Sequence, residues 1–482
     1  MSRSVNALYA LDLLVIGGGT AGLVAAVGAA GLGAKVALVE RHLLGGDCLN
    51  TGCVPSKALI RSARVIGEVN RARLLGIALD APVVDFPGVM QRMRDRRRHI
   101  ARHDSAMRLA SLGIDVFLGE ARFVDDRTVK VDGQRLRFGR AVIATGARAA
   151  APPIPGLDQV AFFTNETIFA LTTLPRRLLI IGAGPIGCEL AQAFARFGSA
   201  VTLFDQAPRV LPRDDADAAE IVRRHLEKAG VSLRLGVRLE QVSDTSGEIA
   251  VYSRHDRVDE EPATRTVGDA LLVAAGRAPN IEGLHLDTAG IEAAKEGVVV
   301  DDRLQTTNRR VYASGDVCSA YKFTHAADAL SRIVLQNAFF FGRGKASALV
   351  IPWVTYTDPE VAHVGVSRSD VEASAGRLQT ITVDLAEVDR AVVDDETDGF
   401  VRVHHAKGVI RGCTIVARHA GEMIGEAVYA MTHDGTLGRL SATVHPYPTQ
   451  AEALRKAGDA YQRQRLTPSV RRWFARYFRW TR

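Results

Sequence analysis

Two stretches of this chain repeat one pattern, and few folds can house it. Residues 12–40, "DLLVIGGGTAGLVAAVGAAGLGAKVALVE", and residues 177–205, "RLLIIGAGPIGCELAQAFARFGSAVTLFD", each read as strand, glycine turn, helix and strand. The turns carry Gly17, Gly19 and Gly22 in the first copy and Gly182, Gly184 and Gly187 in the second. Each copy ends on an acid 23 residues after its first glycine, Glu40 and Asp205. Glycines at this spacing let backbone N–H groups close on a pyrophosphate at a helix N-terminus, while the distal carboxylate accepts from ribose hydroxyls. One such turn is weak evidence. Two, each with the strand before, the helix after and the acid beyond, predict an α/β chain with two Rossmann-like dinucleotide-binding domains. The apolar run from Leu11 to Val39 has the length of a membrane span, but its seven glycines and Lys35 fit a nucleotide fold instead.

Directly after the first copy comes "GGDCLNTGCVPSK", residues 45–57, with two of the five cysteines five positions apart. Five residues of ideal helix rise about 7.5 Å, and bridged cysteines need Cα atoms within about 7 Å. A Cys48–Cys53 bridge therefore needs an irregular turn, which Gly45, Gly46, Asn50 and Gly52 can supply. Pro55 suits the first turn of a helix, placing Cys53 at a helix N-terminus where thiolate is favoured, with Lys57 four residues on. Two small buried residues or a stray pair of metal ligands are the bland alternatives. A redox couple eight residues after Glu40 makes FAD plus a nicotinamide nucleotide the economical pair of cofactors. Asp205 suits the free 2′-hydroxyl of NADH, and nearby Arg209 leaves NADPH open.

Length and charge set outer bounds. A chain of 482 residues suggests about three domains. The net charge of +7 is mild for that length and gives no reason to expect nucleic acid as a partner. Five cysteines and no signal peptide point to a reducing cytoplasm.

These residues resemble the flavoprotein pyridine nucleotide–disulfide oxidoreductases, over about residues 10–460. The resemblance rests on both glycine turns, the cysteine segment, "AVIATGARA" (141–149), "LLVAAGRAPN" (271–280), "VYASGDV" (311–317) and "HPYPTQAE" (445–452). It implies an FAD domain in two segments (1–150 and 274–350), an NAD(P) domain between them (151–273) and a C-terminal α+β dimerisation domain (351–465), hence a homodimer. Gly17, Gly19, Gly22, Glu40 and Asp316 would hold FAD. Thr145 and Gly146 would mark where the chain leaves the FAD domain, and Gly276 and Arg277 its return. Lys57 and Glu189 would pair beside the flavin. Cys53 would be the sulfur against the ring and Cys48 the outward thiol that meets the acceptor.

The C-terminal motif narrows the comparison. Disulfide-reducing members carry a histidine–glutamate shuttle. Here Tyr447 stands at the histidine's position, with Glu452 as the orienting acid, a pattern similar to mercuric reductases. Ser56, Lys57, Ile60, Arg61 and Ala63 extend that likeness. Mercuric reductases end in a vicinal cysteine pair, yet this sequence has no cysteine after Cys413 and no N-terminal CxxC. His445, two residues before Tyr447, would share its side of an extended strand and act as a displaced base, or else be satisfied at an interface. Cys188, Cys318 and Cys413 read as structural, with Cys318 also placed to approach the flavin. The expected activity is electron transfer from NAD(P)H through FAD and the Cys48–Cys53 couple to a small-molecule or metal-ion acceptor. A dihydrolipoamide dehydrogenase-like disulfide reductase and a membrane-associated redox relay are the alternatives.

Two basic stretches complete the sequence. "RMRDRRRHIARH" (92–103) reads as the solvated face of a helix. "TPSVRRWFARYFRWTR" (467–482), the last part of a C-terminal segment at 466–482, places Val470, Trp473, Phe474, Tyr477, Phe478 and Trp480 within an arc of about 160° on a helical wheel. Arginines fill the other side. Such a helix either lies in an anionic membrane surface, on the inner face for a cytoplasmic protein, or packs on its own subunit or a dimer mate.

Overall fold

The computed structural model describes residues 9–255 and 262–482. The first glycine pattern folds as the strand Tyr9–Ile16, the helix Thr20–Gly31 and the strand Val36–Glu40. In the first sheet the parallel order is Ile114–Leu118, Val36–Glu40, Tyr9–Ile16 and Gln134–Ile143, with Val311–Ala313 also parallel to Gln134–Ile143. Two antiparallel strands, Thr128–Val131 and Arg122–Asp125, continue the sheet beyond Gln134–Ile143. Leu13, Leu14, Val15 and Ile16 are all buried, the unbroken apolar run of a strand covered on both faces. The helix Thr20–Gly31 turns Ala21, Ala25, Ala26 and Ala29 inward. Such small side chains allow a close approach to the helix Thr324–Phe339: a Cβ on Gly28 would lie 2.3 Å from Leu335 Cδ1. The run Leu11–Val39 is thus strand, helix and strand, and no described helix is long and apolar enough to cross a membrane.

The second glycine pattern repeats this plan with parallel strands Ala200–Asp205, Arg177–Ile181 and Ala270–Val273. A three-stranded antiparallel sheet, Val237–Thr245, Glu248–His255 and Thr264–Gly268, lies between in sequence. Where the chain leaves the first sheet, Ala147–Ala149 pairs antiparallel with Arg277–Pro279, where it returns. Thr145 Oγ1 donates to the Asn280 carbonyl at 2.7 Å, and Asn280 Nδ2 donates to the Thr145 carbonyl at 2.9 Å. Asn280 N–H also reaches the Gly146 carbonyl at 2.9 Å, and Ala150 N–H the Gly276 carbonyl at 3.1 Å.

Close-range contacts group the chain into two compact units. One holds the residues up to Gly182 with Ala193–Gln206 and Val237–Leu349; the other holds Ala183–Gln192, Ala207–Gly236 and Val350–Arg482. The second unit is built on a five-stranded antiparallel sheet in the order Trp353–Thr355, Glu360–Gly365, Val409–Ala417, Phe400–Ala406, Gln379–Asp384. Its core includes Val364, Val401, Ile415, Ile424, Leu437 and Leu454. Buried charge ties the segment 207–236 to this sheet. Asp215 accepts from Arg402 Nη1 at 2.9 Å and Thr414 Oγ1 at 3.2 Å, and Asp214 accepts from Trp353 Nε1 at 2.9 Å.

Candidate active site

The first glycine turn is shaped by contacts that only glycine permits. Gly17 has φ +110°, and a Cβ there would lie 2.3 Å from the Ala144 carbonyl oxygen; one on Gly22 would lie 1.8 Å from the Gly17 oxygen. The helix Thr20–Gly31 starts after Gly19 with no side chain capping its first N–H groups. That leaves donors aimed outward at a helix N-terminus, the arrangement that receives phosphate oxygens. Glu40 sits at this turn: Oε2 accepts from Gly18 N–H and Oε1 from His42 N–H, both at 2.7 Å. A carboxylate carries about four lone-pair sites, so two remain for ribose hydroxyls. The residues present therefore fit an ADP-type group.

The cysteine segment is fastened to the same turn. Gly45 N–H donates to the Gly18 carbonyl at 2.8 Å. Gly46 adopts φ +61°, and a Cβ on it would lie 2.6 Å from Gly19 Cα. A one-turn helix, Gly46–Asn50, then breaks at Thr51–Gly52 before the long helix Cys53–Arg71 begins. A Cβ on Gly52 would lie 3.0 Å from the Asp47 oxygen and 3.3 Å from Cys48 Cα, so the break folds back tightly. This is the irregular turn that a cysteine pair at this spacing requires, and Cys53 opens the second helix.

Both cysteines are free thiols here. The neighbouring Cys53 thiol, followed by burial, pushes the Cys48 thiol far above its ordinary range, while Thr324 pulls the other way. Thr324 Oγ1, at the start of the helix Thr324–Phe339, lies 3.5 Å from Cys53 Sγ. In this single chain Cys53 is exposed and Cys48 half-buried. Lys57 is half-buried on the Cys53 helix.

Asp47 anchors the turn and was not singled out by sequence reasoning. Its Oδ1 accepts from Thr51 Oγ1 at 2.5 Å and Asn165 Nδ2 at 3.0 Å. Its Oδ2 lies 2.7 Å from Arg277 Nη2. The same Nη2 lies 3.6 Å from Asp316 Oδ2 and donates to the Ala147 carbonyl at 2.9 Å. Arg277 Nε is buried with no hydrogen-bond partner among the described residues, an unused donor beside Asp316. Burial raises the Asp316 carboxyl above the usual range, against the opposing pull of Arg277 and Lys322. Lys322 Nζ donates to the Asp316 carbonyl at 2.9 Å, and burial lowers its ammonium. Burial pushes the nearby Cys318 thiol up to about 12.

The basic run at 92–103 lies on the helix Phe86–Ala101 and the turn after it and is mostly exposed, as expected, but three of its arginines also reach neighbouring carbonyls. Arg97 Nη1 donates to the Asn50 carbonyl at 3.0 Å, closing the end of the Cys48 helix. Arg92 Nη1 reaches the Ala58 carbonyl at 3.0 Å, and Arg94 Nη2 the Leu171 carbonyl at 2.9 Å. Asn50 ends its short helix, where a last-turn carbonyl needs a donor from outside, and Arg97 supplies it from the helix Phe86–Ala101.

The second turn repeats the backbone of the first. Gly182 has φ +109°, with a Cβ there 2.7 Å from the Ala274 oxygen. Gly184 has open space around its Cβ position, Gly187 lies in the first turn of the helix Pro185–Phe197, and Asp205 ends the strand Ala200–Asp205. Arg209 Nη2 is engaged by the carbonyls of Pro212 at 2.9 Å and Asp214 at 3.2 Å. Glu189, on the helix Pro185–Phe197, is buried and accepts from Tyr356 N–H at 2.9 Å. Cys188 and Cys413 are buried, and burial pushes the Cys413 thiol up to about 12.

At the C-terminal motif residues 443–450 form no strand, and His445 and Tyr447 bond to different partners. His445 Nε2 lies 3.0 Å from Glu426 Oε2, and its Nδ1 lies 3.1 Å from the Thr443 carbonyl. Tyr447 is 71% exposed and donates to Asp389 Oδ2 at 2.9 Å, a bond that raises its phenol above the ordinary value. Glu452 is buried and paired with Arg455, while its Oε2 has no partner among the described residues.

Comparison with known proteins agrees with this architecture. Residues 11–330 match the family model for pyridine nucleotide-disulphide oxidoreductases, and residues 351–458 match that family's dimerisation domain. A mercuric reductase of Bacillus cereus is 35% identical over 453 residues, covering 93% of this chain and 71% of the relative. Dihydrolipoyl dehydrogenase 2 of Haloarcula marismortui is 34% identical, covering 93% of this chain and 96% of the relative. Among solved structures, the Cu(II) complex of the HOCl-induced flavoprotein disulfide reductase RclA from Escherichia coli superposes with a TM-score of 0.82 at 29% identity, covering 92% of this chain and 98% of RclA. With two glycine turns, a cysteine couple stitched to the first and a matched dimerisation domain, this chain belongs to the pyridine nucleotide-disulphide oxidoreductases, flavoprotein reductases that use FAD and NAD(P)H.

Proposed function

We propose that this protein is a homodimeric NAD(P)H-dependent reductase. Its Cys48–Cys53 couple would take electrons at the FAD site of the first glycine turn and pass them to a thiophilic metal ion. The observation that carries this reading is the cysteine pair folded together by the break at Thr51–Gly52 and fastened through Gly45 and Gly46 to the first turn. FAD bound there supplies two-electron exchange between the nicotinamide and the disulfide. Gly17, Gly19, Gly22 and Glu40 would hold its ADP half, and Asp316 with Arg277 its remaining phosphate and ribityl region. Lys57, half-buried on the Cys53 helix, would supply a positive charge beside it. NADH is the expected donor, because Asp205 suits a free 2′-hydroxyl and Arg209 is already engaged by backbone carbonyls.

The chain's own groups then manage sulfur and protons. Cys53 gains negative charge at the helix N-terminus, where backbone N–H groups and the Thr324 hydroxyl stabilise it. Cys48 keeps its proton until the acceptor arrives, because the neighbouring Cys53 thiol and its own burial both disfavour the anion. Oxidation of the dithiol forms one S–S bond and releases two protons and two electrons. One Hg(II) or two Cu(II) ions take up those electrons. Support for a metal acceptor comes from the mercuric reductase relative, the Cu(II) complex of RclA and Tyr447 at the shuttle position.

A second reading is favoured by one contact. His445 and Glu426 form a histidine–carboxylate couple, the arrangement that moves protons for a disulfide substrate such as lipoamide. An NADH-oxidation screen against Hg(II), Cu(II), lipoamide and glutathione disulfide separates the two. Turnover with a metal ion and none with lipoamide is expected; the reverse pattern transfers the assignment to the disulfide reductase.

A further inference from the structure

We propose that the C-terminal helix Pro468–Thr481 is a surface anchor that seats this protein on anionic lipid membranes. The helix is well started: Thr467 Oγ1 accepts from Val470 N–H at 3.4 Å, and Pro468 occupies the first turn. It lies beyond residue 458, where the match to the dimerisation domain ends. None of its residues is buried, and Trp480 is 84%, Trp473 61% and Phe478 50% exposed. Among the described residues its rings make ring contacts only with one another. Trp473 stacks on Tyr477 and Phe474 on Phe478, both at 5.9 Å between centroids. The result is a continuous aromatic ridge along one side of the helix.

Charge decides what covers that ridge. Residues 467–482 contain no acid and five arginines, Arg471, Arg472, Arg476, Arg479 and Arg482. None of the five forms an ion pair among the described residues; Arg472 and Arg479 make only local bonds, to Ser469 Oγ and the Ala475 carbonyl. A second copy of the same face would bring two sets of arginines together along both rims, with nothing to neutralise them. Lipid phosphates neutralise them, while tryptophan and tyrosine rings enter the boundary between headgroups and acyl chains. Fourteen residues of helix span about 21 Å, short of the roughly 30 Å of a bilayer core. The helix therefore lies flat, with its ridge inserted.

Co-sedimentation of the full-length FAD-loaded protein with vesicles tests this. One set is phosphatidylcholine alone; the other contains about one-third phosphatidylglycerol, and the expected preference for the anionic set is roughly ten-fold or more at low salt. High salt should reverse most of it. Removal of residues 467–482 should abolish binding while FAD content and NADH oxidation persist. Arg471→Glu with Arg476→Glu should do the same with the aromatic ridge intact. Two of the three tryptophans lie in the helix, so their emission should shift to the blue only with anionic vesicles. No binding, equal binding to both vesicle types or undiminished binding after truncation overturns the proposal. So does a loss of oligomer mass on truncation without any lipid binding, which would assign the ridge to a second copy.

Discussion

The two glycine turns share a backbone and differ in their surroundings. Gly17 and Gly182 have φ of +110° and +109°, and their N–H groups reach the Val39 and Phe204 carbonyls at the same 2.8 Å. The carbonyls of Ala144 and Ala274 crowd both positions in the same way. Around the middle glycine the likeness ends. Gly19 has Gly46 Cα 3.6 Å from its Cβ position, and the cysteine segment is bonded to Gly18; Gly184 has nothing within 4 Å. The first turn is locked into the redox segment and suits a resident cofactor. The second is open and suits a nucleotide that enters and leaves each cycle.

The sharpest way to break this contrast is at the sulfur that the first turn holds in place. Cys48→Ser should lower acceptor reduction by more than about a hundred-fold while FAD content is unchanged, because the exchanging thiolate is lost. Retained turnover with Hg(II) or lipoamide would contradict the path drawn through Cys48. Next in size is Gly46→Ala. Its Cβ would meet Gly19 backbone at 2.6 Å in a left-handed conformation, at a cost of about 1–3 kcal/mol. FAD should be released on gel filtration, with a lower melting temperature; a fully yellow, equally stable variant would show that the two segments are not locked.

Smaller effects sharpen the picture. Asp205→Ser should shift the ratio of NADPH to NADH kcat/KM upward by roughly ten-fold, with FAD retained. Thr324→Val removes the one group that lowers the Cys48 thiol. Alkylation at Cys48, read by peptide mass mapping separately from the exposed Cys53, should therefore slow roughly three-fold at neutral pH and recover as pH rises, because only the thiolate reacts. In the unmodified protein that rate should climb from pH 7 past pH 9 without levelling, the sign expected when the thiol lies far above its ordinary value. The smallest change is Gly184→Ala. With open space around the Cβ position, stability should move by less than about 0.5 kcal/mol. KM for NADH should rise a few-fold, since the methyl projects where the pyrophosphate approaches.

Local patterns carried most of the architecture. The glycine spacing forecast both nucleotide units because a close backbone approach demands glycine at fixed offsets from a strand. The kinked turn between Cys48 and Cys53 followed from helix rise against disulfide reach. Long-range partners were not legible. Asp47 contacts Asn165 and Arg277, and Thr324 reaches Cys53 from 271 positions away; nothing in a linear pattern specifies such pairings. The run at 92–103 reads as solvent charge and is mostly that, but a sequence records a guanidinium and not the carbonyls that Arg92, Arg94 and Arg97 reach. His445 and Tyr447 were assigned one side on the premise of an extended strand, and without that strand they settled on Glu426 and Asp389.

The strand Val311–Ala313 has a consequence for how the polypeptide matures. It lies parallel to Ala141–Ile143 in the first sheet, yet the ribosome must add about 170 residues between the two, and long-range pairing of this kind is slow. During that interval the edge at Ala141–Ile143 is bare and open to wrong pairing, while Gln134–Arg137 is already covered by Thr128–Val131. Any nascent fragment that stops before Val311 would carry this raw edge, so premature termination should yield insoluble product even when both glycine turns have already been translated.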